Sequence, residues 1–311
     1  MAHSPLLTPL IYLIRALPLS LLQGFARNIA RLLITLNRQK QLKTVRLNLA
    51  IAFPHLSKTE RETLSELAYQ NELQSYAEFI KIWANPTHKN IDLIHCVTGK
   101  ELLEHALNEQ KGVVLVVPHF GTWEVMNPWV SQFTPMSIMY KPFKNPYIDQ
   151  FVRDARSREQ AILATSDEQG VKQVFKALKQ GGITAILPDH NPQIENEMNT
   201  WFDIPLYSSQ LVAKLIQKTQ ATPLMLYAIR NKQAGFDMFI EALPAQLHSN
   251  KHNGMEILYQ SIEKLIEKYP SHYHWHYRRF HTNPQLRDIY RQDFEQALAQ
   301  VQQVREQHQT Q

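Results

Sequence analysis

Cysteine is almost missing from the 311 residues: Cys96 stands alone, so neither an intramolecular disulfide framework nor a multi-cysteine zinc motif can form. The nine glycines make up neither G-x-G-x-x-G nor a Walker loop, which removes the common nucleotide-binding signatures. H-E-x-x-H and G-x-S-x-G are absent too, against a zincin and against a serine hydrolase. No Gly-, Ser- or Pro-rich linker cuts residues 91–280, and no repeat or low-complexity tract interrupts the chain. One catalytic domain is the simpler reading. Acidic residues are missing from the amino-terminal part, where the first is Glu60.

Within residues 1–56, Arg15, Arg27, Arg31, Arg38, Lys40, Lys43 and Arg46 supply seven positive charges. A basic arm binds nucleic acid or an anionic membrane, and what lies between the charges separates the two. Leucine and isoleucine lie between them here. Leu22, Phe25, Ile29, Leu32, Leu33 and Leu36 recur at helical spacing, with Gln23, Arg27, Asn28, Arg31 and Thr35 on the other face. That pattern predicts an interfacial amphipathic helix facing membrane lipid, not nucleic acid. Covering the protein's own core is the plainer alternative. The preceding stretch, Pro5 to Phe25, holds Arg15 and three prolines, which bring the balance for spanning a bilayer near zero, so shallow insertion is favoured. A secretory signal fits poorly, because no basic segment precedes the apolar stretch and Arg15 interrupts it.

Ser57 and Glu60 form an S-x-x-E capping box behind Pro54 and predict a helix through Leu64, Leu73 and Phe79. Residues 1–85 thus read as a helical arm and residues 86–311 as the catalytic domain. In the second part, strands expected at Ile91 to Val97, Val113 to Val117, Ser137 to Tyr140, Ile183 to Leu187 and Pro223 to Ile229 alternate with helices. Phe236 to Ile240 is expected as an antiparallel edge strand, and Leu286 to Gln303 as a final helix. The fold class is therefore α/β, a mostly parallel sheet flanked by helices, with a helical amino-terminal region. Val113 to Val117 is apolar on both faces and should be a central strand.

Pro118-His119-Phe120-Gly121-Thr122-Trp123-Glu124 follows that strand directly, and ligands bind beyond the carboxyl ends of strands in open parallel sheets. A continuous helix would turn Glu124 away from His119, but a strand end, a turn at Gly121 and a new helix could return the carboxylate to the imidazole. The pair could then serve as base and orienting acid, or be no more than a strand-end histidine and a solvated glutamate. Lys141 to Pro146 leads into a helix with Arg153, Arg156 and Arg158, either an anion clamp or a solvated face. Leu187-Pro188-Asp189-His190 again delivers a carboxylate and an imidazole to the sheet edge. His272, His274 and His276 alternate as on one face of a strand, yet nothing within the run completes a metal ligand set.

Together these segments resemble the lipid A biosynthesis lauroyl and myristoyl acyltransferases of the lysophospholipid acyltransferase superfamily. The resemblance runs to about Pro284, through His119-x4-Glu124, Lys144-Asn145-Pro146 with Arg156-Ser157-Arg158, Pro188-Asp189-His190, and Tyr269-Pro270 with Arg278-Arg279-Phe280. It implies a glycerolipid-acyltransferase-like fold and transfer of a fatty acyl chain from acyl carrier protein to a hydroxyl of a lipid A precursor. The place would be the cytoplasmic face of the inner membrane. By the same resemblance His119 is the general base and Glu124 its partner. Arg156, Arg158, Asp189, Lys144 and Asn145 are substrate-binding, and no metal or other cofactor is expected. Lys141, Lys144 and Arg153 would dock the acidic carrier, and backbone N–H groups near Gly121 would hold the oxyanion. Trp201-Phe202-Asp203 and the three alternating histidines depart from the family pattern, the histidines as local substitutions, not metal ligands. The alternatives are another lipid acceptor, such as a lysophospholipid, and a non-catalytic peripheral membrane protein.

Overall fold

The structure, a computed structural model, describes residues 7–36, 40–192, 197–249 and 253–310. Arg38 and the side chain of Lys40 lie outside the described residues. Helices come first: α1 (Leu7–Ala16), α2 (Leu19–Thr35), α3 (Lys40–Ala52), α4 (Lys58–Ala84) and the short α5 (Thr87–Ile91). Strands and helices then alternate through β1 (Ile94–Thr98), α6 (Lys100–Asn108), β2 (Val113–Val116), α7 (Met126–Val130), β3 (Met136–Tyr140), α8 (Pro146–Arg158), β4 (Ile162–Thr165), α9 (Glu168–Lys179) and β5 (Ile183–Ile186). A hairpin of β6 (Met198–Trp201) and β7 (Ile204–Tyr207) precedes α10 (Leu211–Thr219), β8 (Thr222–Arg230), β9 (Phe236–Ala242), α11 (Gly254–Lys268) and α12 (Phe294–Gln309).

Seven strands form one sheet in the order β1-β9-β8-β2-β5-β3-β4, parallel throughout except between β8 and β9. The α/β class and the mostly parallel sheet expected from the alternation are thus present. β2 is central, and its side chains divide by alternation. Val114 and Val116 pack into the layer holding α10 and α11, while Val113 and Leu115 face α6 and α7. All four are fully buried, which is why the run carries no polar residue.

Three expectations need correcting. β9 pairs antiparallel with β8 as expected, but it is not an edge, because β1 adds in parallel on its far side. β1 itself starts at Ile94, since Ile91 still closes α5. The last helix starts at Phe294, not Leu286: Pro284 to Arg291 turn in 3-10 segments, and Asp293 then caps α12 through Glu295 N–H.

α4 is capped as expected, with Glu60 N–H donating to Ser57 Oγ and Ser57 N–H to Glu60. Its buried face is unusual, for it includes Glu72, Ser75, Glu78 and Lys81. Lys81 Nζ donates to the carbonyls of Ile14, Arg15 and Leu17 at 2.7–3.0 Å, which satisfies the open end of α1 and holds it to α4. Glu78 accepts from Gln23 of α2 at 2.8 Å, from Arg230 of β8 at 2.6 and 2.9 Å, and from Thr122. One carboxylate thus joins the arm, α4, the sheet and the loop after β2.

Because α2 turns Leu19, Leu22, Gln23, Ala26 and Ala30 inward, Leu21, Phe25, Leu32 and Leu36 are left exposed. These four recur on one stripe, whereas Arg31 turns to α4 and donates to Gln70 at 3.3 Å. The apolar residues of α2 are thus divided: Leu19, Leu22, Leu33 and Ile34 pack on the protein itself, so of the expected lipid-facing set Leu22 and Leu33 are corrected to core contacts, while Phe25, Leu32 and Leu36 stay exposed. No helix among the described residues is long and apolar enough to cross a membrane.

Glu78→Ala would leave Arg230, only 10% exposed at its side chain, without its counter-charge. Loss of one partner of a buried pair costs about 3–5 kcal/mol, so urea denaturation should show destabilisation in that range, with release of α2 seen as faster amide exchange.

Candidate active site

β2 and β5 are parallel neighbours with Val116 opposite Ile186, and Val117 N–H still donates to Ile186 O at 3.0 Å. Each strand then reaches a proline, Pro118 or Pro188, which has no N–H to continue the ladder. Three residues beyond the last paired positions stand His119 and Asp189. The equal offset brings them together: His119 Nδ1 lies 2.9 Å from Asp189 Oδ1, and His119 N–H donates to Oδ2 at 3.0 Å. Asp189 is fully buried. Burial works to raise its pKa, but the His119 imidazole and hydrogen bonds outweigh it and hold the carboxyl below the usual carboxylate range. A carboxylate that accepts from Nδ1 leaves Nε2 as the basic nitrogen. His190 stacks on His119 with ring centroids 3.3 Å apart, and Tyr277 stacks behind it at 3.8 Å. Burial, then the neighbouring imidazole of His119, keeps His190 far below the usual imidazole range and therefore neutral.

Glu124 is placed differently from the expectation. Its carboxylate accepts from Trp83 Nε1 at 2.8 Å and from Arg156 Nη2 at 2.7 Å, with Asn127 at 3.4 Å. The imidazole's partner is Asp189, because Gly121 and a short 3-10 turn at Trp123–Val125 set Glu124 toward α4 and α8. Glu124 and His119 nevertheless line the same cleft. Arg156 also lines it, with a buried Nε that has no hydrogen-bond partner among the described residues.

Of the other expected residues, Arg158 donates to the carbonyls of Trp83 and Asn85 and does not line the cleft, so its visible work is to close the end of α4. Asn145 caps α8, accepting from Tyr147 and Ile148 N–H at 2.9 and 3.3 Å. Lys144 is exposed beside it. Lys141 lies at the cleft, whereas Arg153 is tied to Asp149 at 2.8 Å and lies over the Tyr140 ring. Gly121 N–H donates to His272 O at 2.8 Å, so it is not available to an oxyanion. What the sequence did not reveal is that 272–274 pairs with 119–121. Phe120 bridges Tyr273, His274 N–H donates to His119 O at 3.0 Å, and His274 Nε2 meets Gly121 O at 3.1 Å. Gly121 has φ +57°, and a Cβ there would stand 2.1 Å from Ala228 O. Only glycine permits this turn.

The cleft measures about 870 Å³. Polar groups surround its mouth, and its depth runs between the sheet and α7 along Leu115, Val117, Met126, Val130, Met136 and Ile138. Tyr76, Phe79 and Trp83 of α4 form another wall. A partly exposed base held by a buried carboxylate, at the mouth of an apolar slot, is an arrangement for moving an acyl chain onto a nucleophile.

Fold and site together define an α/β acyltransferase. Residues 6–282 match the family model described as bacterial lipid A biosynthesis acyltransferase, and the chain belongs to that family. Curated relatives include lipid A biosynthesis lauroyltransferase of Escherichia coli K12, 24% identical over 79% of this chain and 81% of its own. Lipid A biosynthesis acyltransferase 2 of Shigella flexneri is 26% identical over 76% of each chain. Lipid A biosynthesis myristoyltransferase of Escherichia coli K12 is 23% identical over 74% of this chain and 72% of its own.

Glu159, 6% exposed at the end of α8, is pushed up to about 8 by burial and then by Glu124. A carboxyl whose folded pKa lies above its unfolded value favours folding at low pH. That contribution is lost as pH rises from the ordinary carboxylate value of 4.5 through about 8. Glu159→Gln should therefore be near neutral at pH 5 and stabilising by at least about 1 kcal/mol at pH 9, read by thermal denaturation at the two pH values. An equal effect at both would show that Glu159 is ionised in the fold.

Proposed function

We propose that this acyltransferase moves a fatty acyl chain from acyl carrier protein to a hydroxyl of a lipid A precursor, with His119 as general base. The single observation that carries the reading is the contact of buried Asp189 with partly exposed His119 at the mouth of the apolar cleft. His119 Nε2 takes the proton of the acceptor hydroxyl as its oxygen attacks the thioester carbonyl carbon. The tetrahedral intermediate collapses, the C–S bond breaks, and the carrier thiolate leaves with the proton from the imidazolium. Asp189 holds the tautomer and stabilises the cation. Glu124 fixes Arg156, whose guanidinium lines the cleft and offers its positive charge to a substrate oxygen. The hydrocarbon chain lies along Leu115, Met126 and Met136. No step requires a metal.

The acidic carrier docks at Lys141 and Lys144 beside the cleft, so turnover falls as salt is added. Lys144 and Asn145 hold the substrate entrance through the cap of α8, and Arg158 acts by closing α4. The exposed stripe of α2, Leu21, Phe25, Leu32 and Leu36, lies in the headgroup layer of the inner membrane on its cytoplasmic face. Since α4 carries both this arm and a wall of the cleft, docking brings the cleft to the lipid surface.

His119→Ala should lower kcat by about 10²- to 10⁴-fold, and Asp189→Asn should fall in the same direction, in an assay of acyl transfer from carrier protein with vesicle binding measured in parallel. Transfer at the normal rate by His119→Ala would refute His119 as the base, whereas no transfer by the wild-type chain with vesicle binding intact would leave a non-catalytic lipid-binding role. Mass spectrometry of the lipid product separates a lipid A precursor from a lysophospholipid acceptor.

Leu21→Glu with Phe25→Glu tests docking. Burying each parent side chain contributes about 1.5–3 kcal/mol, so flotation with vesicles containing anionic phospholipid should weaken at least about tenfold. Unchanged flotation would mean that α2 is not the membrane face.

A further inference from the structure

The alternating histidines do not share one role. His272 turns onto the Phe120 ring, while His274 and His276 converge on Glu72, which comes from α4 two hundred residues earlier in the chain. We propose that Glu72, His274 and His276 bind one divalent transition-metal ion of the zinc class, fastening α4 to the 272–276 segment that pairs with the loop carrying His119. The ligand atoms of the three all lie within 4.8 Å of one another. A tetrahedral ion with ligands at about 2.0–2.2 Å holds its donors about 3.3–3.6 Å apart, so small side-chain rotations close the set. Imidazole, imidazole and carboxylate form a donor set that suits zinc.

Two further observations point to a cation. Glu72 is 3% exposed and its Oε2 has no hydrogen-bond partner among the described residues. Its Oε1 contacts Tyr76 and His276, which leaves Oε2 as a buried acceptor still to be satisfied. Second, the ring of His274 is already oriented from behind, with Nε2 at 3.1 Å from Gly121 O. A ring N–H given to a backbone carbonyl is the usual support of a metal-binding histidine, and it leaves Nδ1 with the lone pair. Tyr76 Oη, 2.8 Å from Glu72 and 3.2 Å from His276 Nδ1, stands at the fourth position together with solvent. The side chain of His276 is about one-third exposed and gives the ion a way in. The ion is structural in this assignment. It lies outside the chemistry of His119 but supports it, because His274 holds both the His119 and Gly121 carbonyls.

The experiment uses the full chain without substrates, so its outcome does not depend on the acyl-transfer reading. Protein stripped with a chelator is titrated with cobalt(II), and separately loaded with zinc, desalted and assayed for metal. The expected result is one equivalent retained, a visible cobalt spectrum of tetrahedral intensity, and a rise in Tm with zinc. Glu72→Gln and His276→Ala should each bind at least tenfold more weakly and lose the zinc-dependent rise in Tm. His105→Ala, at an exposed helix position, should behave as wild type. His276→Ala removes a partly exposed ring and keeps the test alive if Glu72→Gln does not fold. Failure of the wild-type chain to retain zinc, or equal retention by His276→Ala, would overturn the site and leave a hydrogen-bonded Glu–His–Tyr cluster.

Discussion

The register between β2 and β5 is the constraint from which the site follows. Parallel pairing of Val116 with Ile186 fixes where the two prolines end the ladder, and therefore where His119 and Asp189 meet. Neither residue is placed by its neighbours in sequence. A slip of one residue would turn alternate side chains to the opposite face and separate imidazole from carboxylate. The buried residues of β2, shared between two apolar layers, make such a slip costly, so the precision of a catalytic contact is inherited from core packing.

This also explains which parts of the molecule were legible in the sequence. Alternating apolar runs and helical segments gave the α/β class, the central strand and the capping box, because each rests on local periodicity or a three-residue spacing. β4 was missed because Ile162-Leu163-Ala164-Thr165 is too short to show alternation, and the hairpin of β6 and β7 because Asn199 and Thr200 interrupt its apolar residues. β9 was misplaced at an edge because its second neighbour, β1, lies far away in the chain. The carboxylate in contact with His119 was hidden for the same reason. Local spacing pointed to Glu124, which lines the same cleft, whereas the hydrogen-bonded neighbour is set by a strand pairing across seventy residues. A signal did exist: V-P-H and L-P-D repeat the same offset after two strands, which parallel register converts into contact.

The histidine run was opaque for a similar reason. Read alone it lacks a carboxylate, and the one it meets comes from the buried face of α4. That helix was expected from its capping box and apolar spacing alone, yet it buries Glu72, Glu78 and Lys81. Burying charge is costly unless each group has a specific partner, and these have three different ones. Lys81 takes the carbonyls of α1, Glu78 takes Arg230 and Thr122, and Glu72 faces the histidines.

α4 is therefore better understood as a junction than as a scaffold helix. Its charged residues bind the arm at one end and the reactive loop along its middle, while Phe79 and Trp83 wall the cleft and Trp83 holds Glu124. Apolar packing alone would let α4 slide or rotate against its neighbours at small cost, since dispersion contacts are individually weak and non-directional. Directed bonds from buried charges do not allow that, because a shift of about 1 Å would leave several of them unsatisfied at once. The apolar stripe of α2 is carried on this same helix. The orientation of the lipid-facing surface relative to the His119 imidazole is thus fixed by the polar face that sequence periodicity would have assigned to water.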